Sequence, residues 1–201
     1  MVQDIALEMT LIELISSRIC HDLVGPVGAV NAGAELMGED GVSDDEALAL
    51  MRKSGLEAAR RLQLFRLAFG RAGNSVDTAS MRDAAAQTYA AEGKVELDWP
   101  NLPIDPSHGR VVLNMVMLAR EALPFGGEIS VSYDSGQTTV IAEGRRAALR
   151  PEVMNVLEKE VSADALDPRT VHAFFVRNLA NRTGGALSVL QQDGNIALIY
   201  G

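Results

Sequence analysis

Ile5, Met9, Ile12, Ser16, Ile19, Leu23, Val27, Val30, Ala34 and Met37 recur every three or four positions, the period of an amphipathic α-helix. Sustained over so long a stretch, the pattern fixes a helical rod before anything else about the fold. Gly38-Glu39-Asp40-Gly41 interrupts it, and Ser43 with Glu46 three residues later has the form of a capping box. A second helical pattern follows, with Ala47, Leu50, Met51, Ser54, Ala58, Leu62, Phe65 and Phe69 on one side, and Gly70 and Gly73 end it. Two such helices cannot cover each other's stripes. Two hairpins together make a four-helix bundle, and a two-fold dimer is the commonest source of the second. A homodimer is therefore expected.

His21 stands off the stripe. It lies two residues from both Ile19 and Leu23, which at about 100° per residue turns it to the opposite side of the helix and outward. The residues sharing its face are bulky before it (Leu7, Leu11, Leu14, Arg18) and small after it (Gly25, Gly28, Ala32). The bulky end is expected to pack, and the small end to admit another protein. Pro26 removes a backbone donor and clashes with the carbonyl of Asp22 four residues earlier. Because the stripe continues through Val30 and Met37, Pro26 is expected to bend the helix rather than end it.

Beyond Asn74 the grammar changes to short alternating elements. Helices are expected at Ser80 to Ala91, Pro106 to Leu123, Pro151 to Glu160 and Pro168 to Thr183, the last two each opened by a proline suited to a first turn. Strands are expected at Lys94 to Trp99, at Glu128 to Tyr133 and Thr138 to Glu143 around Asp134-Ser135-Gly136-Gln137, and at Ala186 to Leu190 and Asn195 to Tyr200 around Asp193-Gly194. Lacking a strict βαβ rhythm, they point to one sheet with helices on one face, an α+β arrangement. The division is expected at 1–73 and 74–201.

With 201 residues and 47% hydrophobic content, the chain has ample material for a packed core. A net charge of −9 argues against nucleic acid or an anionic membrane as the main partner, since both reward clustered Lys and Arg. The single cysteine, Cys20, excludes an internal disulfide framework and a multi-cysteine metal site; it reads as a small apolar filler beside Ile19. Asp4, Glu8 and Glu13 at the start do not resemble a secretory signal, and no stretch reaches the roughly 20 apolar residues needed to span a bilayer. A cytoplasmic location is expected.

The order His21, Asp22 and, five positions after the histidine, Pro26 resembles the phosphoacceptor box of histidine kinases. The wider string Ser17 to Leu23 with Gly25-Pro26-Val27-Gly28-Ala29, together with Leu64-Phe65-Arg66-Leu67-Ala68-Phe69-Gly70, is similar to the ChpT-type histidine phosphotransferases of alphaproteobacteria. That resemblance implies a dimeric four-helix bundle followed by a histidine-kinase-ATPase-like α/β sandwich. It also implies a phosphorelay partner set: the receiver domain of a hybrid histidine kinase upstream and response regulators downstream.

The nucleotide boxes of a kinase are damaged here. Val112 to Ala119 resembles the asparagine-rich helix, with Asn114 in it, yet Leu118 stands where a magnesium-binding asparagine is expected. Val140 to Arg146 resembles the adenine-recognising strand, with Ala142 in place of the aspartate and Arg146 in place of the second glycine, and no glycine-rich phosphate loop precedes Phe174 to Ala180. Neither a cofactor nor a metal is expected on this chain, and Mg²⁺ would arrive with the receiver domain.

A neutral imidazole is a nucleophile near physiological pH, so His21 is the expected acceptor of phosphate from one receiver aspartate and its donor to another. Asp22 is the expected helper, through water or another side chain if adjacent helix positions diverge. Partner-facing residues are expected at Arg18, Gly25, Gly28 and Ala32 on the first helix and at Arg61 and Phe65 on the second. Arg18, with Arg60, Arg61 or Arg66, is a candidate for phosphoryl oxygens. His108 and His172 read as ordinary helix-end or core-edge residues. Two alternatives remain: a receiver-docking adaptor without covalent chemistry, and an autophosphorylating kinase.

Overall fold

The computed structural model describes residues 2–38, 43–70 and 77–201. Part of the Gly38-to-Gly41 turn, Gly73 and the 73/74 division lie outside the described residues. Helix α1 (Val2–Leu36) and helix α2 (Asp44–Ala68) form an antiparallel hairpin. The capping box at the start of α2 is present: the Ser43 hydroxyl accepts from the Glu46 N–H at 3.2 Å, and the Glu46 carboxylate accepts from the Ser43 N–H at 3.4 Å. As expected, Pro26 does not end α1, which continues to Leu36.

After α3 (Thr78–Glu92) come β1 (Val95–Asp98), α4 (Pro106–Glu121), β2 (Gly127–Asp134), β3 (Gln137–Glu143), α5 (Pro151–Glu158), α6 (Val171–Arg182), β4 (Leu187–Gln192) and β5 (Asn195–Tyr200). The strands form one sheet in the order β1-β2-β3-β5-β4, parallel only between β1 and β2. Alternation along each strand turns Ile129 and Val131, Val140 and Ala142, and Ile196 and Leu198 to the buried side. Helix α4 fills the space over them. Every residue from Val111 to Ala119 is buried, because the sheet lies on one side of α4 while α2, α3 and α6 close the others.

Three expectations change. Helix α6 opens at Val171 with Thr170 before it, not at Pro168; the Asp167 side chain instead accepts from the backbone N–H groups of Arg169 and Thr170 and closes a separate turn. Cys20 is exposed rather than a filler, because Ile19 and not its neighbour turns inward. The α1 stripe also divides: Ile19 and Leu23 pack on the core, as do Leu11 and Leu14 from the opposite series, while Met9, Ile12, Val27 and Met37 remain exposed in the single chain. Among the described residues, no helix is long and apolar enough to cross a membrane.

Candidate functional site

His21 projects from the middle of α1 with 86% of its side chain exposed, as its helical phase requires. Asp22 reaches it directly, Oδ1 to Nδ1 at 3.1 Å, so no mediating group is needed for contact between these neighbours. The carboxylate accepting at Nδ1 leaves Nε2 as the open nitrogen of the ring.

The histidine overlooks a cleft of about 590 Å³ built by both halves of the chain. Helix α1 supplies Ser17, Arg18, His21 and Asp22, and the C-terminal end of α4 supplies Glu121. Arg150, just before α5, and Arg169, just before α6, face it from the far side. Sequence reading missed both arginines, since they lie more than a hundred residues from His21 with no periodic signal. Neither guanidinium forms an ion pair among the described residues, so both are open to an anion.

Arg18 is less exposed than its position on the His21 face implied. Its Nη2 donates to Glu121 Oε1 at 2.5 Å, and its buried Nε has no hydrogen-bond partner among the described residues. The same Oε1 lies 2.8 Å from Nδ1 of His172, whose Nε2 is 3.1 Å from Asn114 Oδ1. His172 is thus fully buried and bonded at both nitrogens, not an ordinary core-edge residue. Burial pushes its imidazole below the ordinary value, against the bond and charge of Glu121. Desolvation alone would raise the Glu121 carboxyl; the hydrogen bond and charge of His172 and the nearby Arg18 outweigh it and hold the group below its usual range.

The other expected residues fall out as follows. Gly25, Gly28 and Ala32 are exposed beyond His21, and a Cβ added at Gly25 or Gly28 would meet nothing within 4 Å. Arg61 points inward: Nη1 donates to the Asp22 carbonyl at 3.0 Å and Nη2 pairs with Glu57 at 2.7 Å. Phe65 is buried against Phe69 and cannot present its ring to a partner. Arg66 is exposed and does not line the His21 cleft, while Arg60 lines a different cleft with Lys53 and Lys94. His108 sits in the first turn of α4 and meets Tyr200 edge to face.

The segments that resemble nucleotide boxes in the sequence serve as packing and capping elements here. Asn114 spends its amide on the carbonyls of Ala68 and Arg110, Leu118 is fully buried in α4, and Ala142 is fully buried in β3. Arg146 has a left-handed backbone at φ 57°.

Residues 80–195 match the family model of the histidine phosphotransferase C-terminal domain. The protein phosphotransferase ChpT of Brucella abortus (strain 2308) is 31% identical over 185 residues, covering 88% of each chain. A solved bacterial phosphotransferase superposes with a TM-score of 0.80 at 28% identity, covering 96% of both chains. An exposed histidine on a helical hairpin and similarity to phosphotransferases over most of the chain converge: the chain belongs to the histidine phosphotransferase family and is a phosphorelay enzyme of that class.

Proposed function

We propose that His21 carries the phosphoryl group between two receiver aspartates, without ATP. The observation that carries this reading is the exposed ring whose Nδ1 faces Asp22. With the Nδ1–H hydrogen-bonded to that carboxylate, the Nε2 lone pair attacks the phosphorus of an aspartyl phosphate. The N–P bond forms as the acyl P–O bond breaks, the carboxylate stays on the donor receiver, and Asp22 accepts the surplus ring proton. In the second half-reaction a receiver carboxylate attacks the same phosphorus, the N–P bond breaks, and the ring recovers its proton. Arg18, Arg150 and Arg169 line the cleft beside His21 and are the cations offered to the transferred charge.

Donor and acceptor are the receiver of an upstream hybrid histidine kinase and downstream response regulators, in the cytoplasm, with Mg²⁺ held by the receiver. The open face of Gly25, Gly28 and Ala32 supports docking of a receiver helix beside His21. A homodimer is supported by the apolar side chains left exposed on the hairpin, Ile12, Val24, Leu56 and Leu62 among them. Light scattering at micromolar concentration is expected to give twice the chain mass; a monomer would contradict the dimer.

Transfer of labelled phosphate from a phosphorylated receiver tests the chemistry. Label is expected to pass to the protein and to be lost in His21→Ala. Binding that survives with no transfer in the unmodified protein would favour an adaptor, and self-labelling from ATP and Mg²⁺ alone would overturn the ATP-independent reading.

A further inference from the structure

A proline inside a helix offers no N–H, so the carbonyl four residues before it loses its intrahelical donor. For Pro26 that carbonyl belongs to Asp22, the residue whose side chain contacts His21. The missing donor is supplied from the other helix. Arg61 Nη1 donates to the Asp22 carbonyl at 3.0 Å, while Nη2 is held by Glu57 Oε1 at 2.7 Å, one turn earlier on α2. One planar guanidinium thus spans the hairpin, anchored on its own helix by one arm and on the phosphoacceptor helix by the other.

We infer that Arg61 is a positioning residue for phosphotransfer: it replaces the donor that Pro26 removes, and so fixes the Asp22 peptide and the carboxylate-to-imidazole contact beside it. The inference rests on His21 being the phosphoacceptor. It assigns Arg61 an internal role in place of the partner contact expected from sequence, and it explains how a buried proline is accommodated next to an ordered reactive residue. Without Arg61, the Asp22 carbonyl must turn toward water, carrying the neighbouring side chains with it. Displacements of this kind at a reacting group are costly in rate.

Phosphoramidate, a small donor that needs no receiver, tests this directly. Its P–N bond breaks, ammonia leaves, and the phosphoryl group forms the N–P bond to His21; phosphorus NMR of phosphohistidine reads the rate. Arg61→Leu is expected to slow labelling about tenfold. In a Pro26→Ala background the restored N–H returns to the Asp22 carbonyl, so there Arg61→Leu is expected to cost less than about twofold. Arg61→Lys, which keeps one donor, should recover most of the rate. If Arg61→Leu fails to fold, Arg61→Gln carries the same comparison. An equal loss in both Pro26 backgrounds, or no loss in either, overturns the positioning role, and a defect seen only with receiver donors returns Arg61 to the partner interface. Labelling that persists in His21→Ala would instead overturn His21 as the acceptor, a separate result.

Discussion

At the scale of single residues, the site depends on what surrounds each side chain rather than on its type. Three histidines differ completely. His21 is solvated on a helix face, His108 meets Tyr200 edge to face, and His172 is sealed between Glu121 and Asn114. The first was legible in sequence because exposure on a helix follows from phase, and the helix-end place of His108 followed from the start of α4. The place of His172 depends on partners 51 and 58 positions away, which no local pattern encodes. Gly28 gives a sharp test of the docking face. Since an added Cβ there meets nothing within the chain, Gly28→Leu should fold at least as well as the unmodified protein, and its thermal midpoint should not fall. Receiver affinity should nevertheless drop about tenfold or more, the order of a steric clash in one packed contact. Unchanged affinity in a titration would remove this face from the interface.

Elements show where the sequence pattern was sufficient and where it stopped. The helical hairpin, its capping box, both strand turns and the single-sided sheet follow from period, turn residues and caps, all of which are local. What period alone did not give was which parts of the α1 stripe the chain itself covers. Leu11 and Leu14 pack on the same core cluster as Ile19 and Leu23, and that choice is made by tertiary packing. Close approach is specified at Gly33, where an added Cβ would stand 2.6 Å from Met51 Cγ and 3.1 Å from the Ala47 carbonyl. Gly33→Val should therefore weaken the hairpin by about 1–3 kcal/mol in urea unfolding, whereas Gly28→Ala should stabilise it by about 0.5–1 kcal/mol through helix propensity. Similar effects at the two positions would mean the helices do not touch at Gly33. Beyond β3, Arg146 holds a left-handed backbone that favours glycine; Arg146→Gly should raise stability by up to about 1 kcal/mol, and a loss would show that its side chain compensates for the strain.

For the whole molecule, the decisive contacts are those that join the hairpin to the sheet half. The C-terminal carbonyls of α2 are capped from α4: Arg110 Nε donates to Ala68 at 2.8 Å, its Nη2 to Phe69 at 2.9 Å, and Asn114 adds a third donor to Ala68 at 3.2 Å. The Arg110 cation complements the negative end of the helix as well as its unpaired carbonyls. On α1, Arg18 is tied to Glu121 and through it to His172 on α6. Both links run through α4, which also carries the core under the sheet, so opening the hairpin should disturb the second half and the two should unfold together. The single tryptophan reports on this, since Trp99 is buried beside β1, far in sequence from the hairpin, whereas helical ellipticity is dominated by α1 and α2. In urea, Trp99 fluorescence and ellipticity should trace one superimposable transition. Weakening both links with Arg18→Ala and Arg110→Ala should cost on the order of 1–3 kcal/mol for each charge-assisted contact and separate the two curves, the hairpin melting first. Curves that already diverge in the unmodified protein would mean that α4 does not couple the halves, and the cleft at His21 would then lose the rigid wall from which Arg150 and Arg169 face it.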